Sequence, residues 1–140
     1  MEFIDDKHKD FTYRCLERCG DGRNYSKDCE YVSLFYTLGL TRDCREHIDN
    51  LFDFESRCVK WAALTEPWVS GADARVIRLA FNLFTGTEYE IALMDEAGMS
   101  KDKLLETYHL FSPVKLFSYG GDITRFMTMA LLLRFNICEL

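Results

Sequence analysis

The stretch SGADARVIRLAFNLFTG, residues 70–86, decides the fold. Ser70 stands where a hydroxyl can accept from the open amides of a first helical turn. Asp73, three residues on, makes an acidic version of the capping box and suits the positive end of the helix dipole. Gly86 follows the last apolar residue, where a left-handed terminating residue is wanted. Between these ends, Val76, Ile77, Leu79, Ala80, Phe81, Leu83 and Phe84 leave only Arg78 and Asn82 polar. Arg75, Arg78, Asn82 and Thr85 recur at helical spacing as one narrow polar stripe. A helix apolar around most of its circumference has to be wrapped by other elements. The expectation is an all-α, compact, single-domain multi-helix bundle spanning residues 1–140, built around a buried central helix at about 70–86.

Outward from that helix, the same signals recur. Asp5 or Asp6 can cap a first helix over residues 5–19 that turns Phe11, Cys15, Leu16 and Cys19 inward, with Gly20 and Gly22 ending it. Ser26 can cap a second helix through about Leu38, with Tyr31, Leu34, Phe35 and Leu38 on one face and Gly39 closing it. Thr41 can cap a third, in which Cys44, His47, Ile48 and Leu51 share a face. Residues 52–69 are poorly patterned; a minor extended piece is expected near 54–60, Pro67 bars helix continuation, and Trp61 and Trp68 are placed to lid the core. Beyond Gly86, Tyr89, Ile91, Ala92 and Met94 suggest another helix. Ser100 can cap one that packs through Leu104, Leu105, Tyr108 and His109, and Ser112-Pro113 opens a short one. Asp122 is the expected cap of a last helix from Ile123 onward.

Composition narrows the function classes. The 140 residues are 48% hydrophobic and 14% aromatic, which suits an ordered globular domain. Net charge is −6, spread evenly, with 13 acidic and 10 basic side chains in residues 1–60 and 10 and 7 in the remainder. An acidic balance opposes direct binding to a nucleic-acid backbone and permits an acidic face that meets a basic groove on another protein. The charged first twenty residues do not read as a signal peptide, and the apolar run near Met127–Leu133 is far short of a membrane span. The expected address is cytoplasmic, where the six cysteines read as reduced core residues.

No chemical motif emerges. Structural zinc announces itself with tight ligand knuckles, whereas Cys15 and Cys19 (with His8 nearby) and Cys44 with His47 are only helix-face pairs, so no metal is expected. Ser100-x-x-Lys103 lacks the partner motifs of serine–lysine enzymes and reads as a helix cap. Gly20-x-Gly22 follows a helix, not a strand, and there is no phosphate-loop lysine. No catalytic residue and no cofactor are assigned.

Two constellations stand out instead. In the polar stripe of the central helix, Arg75, Arg78 and Asn82 need partners, for which Asp53, Glu55 and Glu66 are candidates; the stripe is a structural ion-pair network or the wall of a ligand pocket. The second is Glu88, Glu90, Asp95 and Glu96 in a segment, Thr87–Ser100, that holds no basic residue. Four such carboxylates can imitate a run of phosphates for a basic groove, or form an ordinary solvated helix face.

FIDDKHKDF (residues 3–11), SLFYTLG (33–39), LFDFESRCVKWAAL (51–64) and above all WVSGADARVIRLAFNLFTG (68–86) resemble a family of small uncharacterised proteins, a domain of unknown function, from phages, prophages and mobile elements of Firmicutes. SPVKLFSYGGDITRF (112–126) resembles it more loosely. The resemblance implies a non-enzymatic interaction protein in a bacterial host cell, a stoichiometric inhibitor of a host defence or nucleic-acid-handling protein in the style of an anti-CRISPR, with a CRISPR effector or other defence nuclease as partner. Two alternatives stay open. One is a small-ligand binder or enzyme with a polar pocket on the central helix, using Arg78 and Asn82 with Asp53 or His47. The other is a homodimeric structural or regulatory subunit joined through Trp61, Trp68 or Tyr119.

Overall fold

The computed structural model describes residues 1–20, 24–118 and 120–140; Gly22 and Tyr119 lie outside the described residues. The chain is an all-α, multi-helix fold with one small β-hairpin. Helix α1 (Asp6–Arg18) starts as expected, with the Asp5 carboxylate accepting from the His8 amide, and it buries Phe11, Cys15 and Leu16. Helix α2 (Cys29–Leu38) begins later than expected. Asp28, not Ser26, caps it by accepting from the amides of Glu30 and Tyr31, while Ser26 lies in a 3-10 turn, Tyr25–Lys27, begun by Asn24.

Helix α2 is sealed on every side: all residues from Val32 to Leu38 are buried. Two of its buried hydroxyls are satisfied within the helix, Ser33 donating to the Glu30 carbonyl at 3.0 Å and Thr37 to the Ser33 carbonyl at 2.6 Å. Helix α5 (Gly71–Thr85), the stretch that opened the sequence analysis, packs along it and shares the centre of the fold. Both halves of the Ser70–Asp73 capping box are formed, and Gly86 ends α5 with φ +70°. Helix α1 and helix α9 (Gly121–Arg134) complete the wrapping.

The C-terminal carbonyls of α2 would be orphaned in this dry setting. The amides of Gly39 and Leu40 take those of Phe35 and Thr37. The Tyr36 carbonyl is taken by a fully buried side chain, His8, whose Nε2 lies 2.8 Å away. The Ile4 amide donates to His8 Nδ1 at 3.2 Å, so the proton resides on Nε2 and the ring is neutral. Arg45 donates to the Gly39 carbonyl at 2.7 Å. Gly39 has an ordinary helical φ of −71°, so it is not there for a left-handed turn. It is there for closeness: a Cβ on it would sit 2.7 Å from His8 Cδ2 and 2.9 Å from Phe11 Cδ1.

Thr41 caps α3 (Arg42–Glu46), but the helix breaks at His47 and restarts as α4 (Ile48–Leu51). The extended piece expected near 54–60 is an antiparallel hairpin, β1 (Phe52–Asp53) with β2 (Cys58–Val59), turned through Arg57 at φ +58°. Trp61, in the 3-10 turn Trp61–Thr65, is buried edge-on against Phe81, and Trp68 stacks on His47 at 4.2 Å. Helices α6 (Tyr89–Glu96), α7 (Lys101–Leu110) and α8 (Pro113–Phe117) follow, the last two capped by Ser100 and Ser112 as expected. Asp122 does not cap α9. Gly120 does, with φ +60°, and Asp122 falls inside the first turn. Among the described residues, no helix is long and apolar enough to cross a membrane.

Two outcomes follow from the α1–α2 contact. Gly39→Ala should lower stability in urea unfolding by about 1–3 kcal/mol through overpacking, whereas Gly71→Ala, whose Cβ meets nothing within 4 Å, should be neutral or stabilising. Burial, the largest influence, and the nearby Arg45 cation hold the His8 pKa below 6.5, outweighing the Tyr36 hydrogen bond and Asp5. Below about pH 6.5 the unfolded chain therefore binds a proton that the folded chain refuses, and stability should fall as pH drops toward the folded-state pKa. Urea midpoints at pH 7.5 and 5 should show this, with a weaker pH dependence in His8→Gln.

Candidate protein-binding face on helices α6 and α7

The two constellations singled out in the sequence meet in a single ion pair. Arg78 Nε and Nη2 donate to the Glu90 carboxylate at 2.9 and 3.1 Å, with only 15% and 18% of the two side chains exposed. A bidentate guanidinium–carboxylate pair is directional, so it pins α6 to α5 in one orientation. Asp53, Glu55 and Glu66, the expected partners of the stripe, are elsewhere. Asp53 accepts from the amides of Glu55 and Ser56 in the hairpin turn, which lowers its pKa. Glu66 accepts from Asn50 and Trp68. Asn82 donates to the Thr87 carbonyl at 3.3 Å, and His47 is held by the Asp43 carbonyl and Trp68. The pocket of Arg78, Asn82, Asp53 and His47 is thus not assembled. Arg75 and Arg78 instead line a cavity with Lys115.

Glu90 is consequently not part of an outward carboxylate row. Glu88 is half-buried at the start of α6, while Asp95 and Glu96 are exposed at its end, and none of the three makes an ion pair among the described residues. Asp95 and Glu96 occupy the last turn of α6, the negative end of the helix dipole, with no basic residue in that turn. Carboxylates there cost a helix about 0.3–1 kcal/mol each, so helix stability does not account for them.

The apolar side chains of this region also point the wrong way for a core. Helix α7 was expected to pack through Leu104, Leu105, Tyr108 and His109. Leu105, Tyr108 and His109 are exposed, Leu104 is half-buried, and the buried position is Thr107, which donates to the Lys103 carbonyl and to Met94 Sδ. Helix α6 buries Ile91 alone. Of the eleven large apolar side chains exposed among the described residues, six lie on this pair and its connection: Tyr89, Leu93, Met99, Leu105, Tyr108 and Leu110. Tyr89, Leu105 and Tyr108 each leave more than half their surface in water, at 53, 53 and 54%. Such a concentration next to unpaired carboxylates has the composition of a binding face, apolar in part and charged at the margin.

Other candidate groups are absorbed by structure. Burial pushes the thiols of Cys15 and Cys44 up to about 12 and that of Cys19 up to about 11, which makes them inert core groups. All six cysteines are free, and among the described residues no three His, Cys, Asp or Glu side chains are placed to hold a metal ion. Ser100 accepts from the Lys103 amide, so its hydroxyl serves the helix end. Trp61 is too buried to join two copies of the chain.

A family model described as a family of unknown function, DUF6075, matches residues 1–137. No curated protein and no solved structure matches the chain.

The pinning ion pair has a measurable size. A double-mutant cycle on Arg78→Met and Glu90→Met should give a coupling of about 1–3 kcal/mol in urea unfolding. The same cycle on Arg42 and Glu46, a pair 3.2 Å apart and mostly exposed, should give well under 1 kcal/mol. Equal couplings would mean that Arg78 does not anchor α6.

Proposed function

We propose, for a chain that belongs to the DUF6075 family, that it is an interaction protein which engages another protein through the α6–α7 face. The observation that carries this reading is the placement of Asp95 and Glu96 at the unfavourable end of α6, without an ion pair among the described residues, on a helix pair that also exposes Leu93, Leu105 and Tyr108. Residues that neither cap, pair nor pack are retained at a cost to the helix, which a bound partner offsets. Charge complementarity makes that partner basic at its margin. A symmetric dimer through this face would bring like carboxylates together, which disfavours self-association as its use.

The finer reading joins this face to the resemblance to mobile-element proteins. In it the protein is an anti-CRISPR-like inhibitor acting in the cytoplasm of a bacterial host. Glu88, Asp95 and Glu96 stand in for phosphates in the basic groove of a CRISPR effector or another defence nuclease, the apolar side chains supply the contact area, and the protein performs no chemistry.

The test separates binding from folding. Tagged protein should capture one stoichiometric partner from lysate of a host that carries its defence effectors, and raised salt should weaken the capture. Asp95→Lys with Glu96→Lys should abolish it while leaving the thermal midpoint unchanged or raised, since the substitution repairs the helix dipole. Undiminished capture by the double variant contradicts the reading, as does the absence of any captured partner.

A further inference from the structure

Cys15, Cys19 and Cys44 are buried core thiols, and Cys58 is exposed on the hairpin. The other two, Cys29 and Cys138, are half-buried and line one cavity of about 300 Å³. We propose that Cys29 and Cys138 are a redox pair, which closes to a disulfide when the protein meets a peroxide.

The backbone brings the two residues to one place. Cys29 is the first residue of α2, and Cys138 follows the end of α9. The chain reverses after Arg134: Asn136 takes a left-handed φ of +56°, and the amides of Ile137 and Cys138 return to the Leu132 carbonyl at 2.9 and 3.4 Å. That reversal sets Cys138 back alongside the last turn of α9. From the same turn, Arg134 Nη1 donates to Cys29 Sγ at 3.7 Å. Val32 of α2 and Leu133 of α9 line the cavity together with the two thiols. Cys29 is fixed by its helix, whereas Cys138 lies in irregular chain, which can settle to the Cα separation of about 4.4–6.8 Å that a disulfide takes without breaking a helix.

The surroundings assign the two roles. Arg134 is held by the Leu83 carbonyl at 2.6 Å and the Glu30 carboxylate at 3.3 Å, so its remaining donor is aimed at Cys29 and steadies negative charge on that sulfur during attack. Cys29 attacks one peroxide oxygen; the O–O bond breaks, a sulfenic acid forms and the first water leaves with the thiol proton. Cys138 then attacks the sulfenic sulfur; the S–S bond forms as the S–O bond breaks, and a second water leaves with the second thiol proton. The two sulfurs lose two electrons, and the peroxide is reduced to water. The link fastens the tail to α2, the sealed helix of the fold, and it involves neither α6 nor α7. It therefore stands or falls separately from the partner-binding reading.

Peptide mapping without reduction tests the pair, on native protein treated with stoichiometric hydrogen peroxide and then alkylated. The expected product is a monomer lighter by two hydrogens, containing a Cys29–Cys138 linked peptide that dithiothreitol reverses. Cys58→Ser should retain the link and Cys29→Ser should lose it. Cys138→Ser should instead accumulate a sulfenic acid at Cys29, trapped by dimedone well above the wild-type level. Absence of the linked peptide from the treated native protein overturns the proposal, and so does a link that forms only in urea. Equal trapping at Cys29 in wild type and Cys138→Ser also overturns it, because Cys138 would then not resolve the sulfenic acid.

Discussion

The structure depends on keeping one helix dry. Seven consecutive residues of α2, Val32 to Leu38, are buried on all sides, so no face of that helix is left for water to satisfy. Each polar group inside must then find a protein partner. The side chains of Ser33 and Thr37 turn back onto their own helix, and Arg45 and His8 arrive from other elements to close its C-terminal end. His8 does so as a neutral ring held between the Ile4 amide and the Tyr36 carbonyl, which ties the start of the chain to the centre. The Tyr36 hydroxyl donates to the Glu2 carbonyl at 2.6 Å and makes the same tie a second time. Gly39 exists to let α1 approach closely enough for this arrangement.

Against this sealed centre, α6 and α7 are lightly attached. They bury Ile91 and Thr107, and the Arg78–Glu90 pair supplies direction rather than apolar area. A region with few buried apolar contacts opens more readily than the rest of a protein, and binding elements are commonly drawn from such regions. Asp95 and Glu96, which make no ion pair among the described residues, and outward Leu105 and Tyr108 belong to that lightly attached part, while capping and core packing are satisfied elsewhere. The division of labour is physical: α1, α2, α5 and α9 hold the fold, and the surface that lacks a structural rationale sits on α6–α7.

What the sequence made legible was local. Ser70, Asp73 and Gly86 bracket α5 because capping chemistry acts within four residues of a helix end, and the same holds for Asp5, Thr41, Ser100 and Ser112. What it hid was tertiary. The Arg78–Glu90 pair is twelve residues apart and joins two helices, so no spacing rule exposes it, and carboxylates of the preceding segment such as Asp53 and Glu66 were equal candidates. The sealing of α2 was masked by Ser33 and Thr37, which look like solvent positions until their hydroxyls are seen to bond backward. His8 carried a faint signal, three residues after a capping aspartate, but its partner on α2 lies 28 residues away. The outward turn of Leu105 and Tyr108 breaks the rule that apolar periodicity faces a core, and that breach marks the candidate face.

Native-state hydrogen exchange, followed residue by residue, tests the central division most directly. The amides of Val32–Leu38 should exchange only through global unfolding, while those of α6 and α7 should exchange through local openings of markedly lower free energy. Protection of α6 and α7 equal to that of α2 would contradict it, because those helices would then belong to the cooperative core and their exposed apolar face would need another explanation.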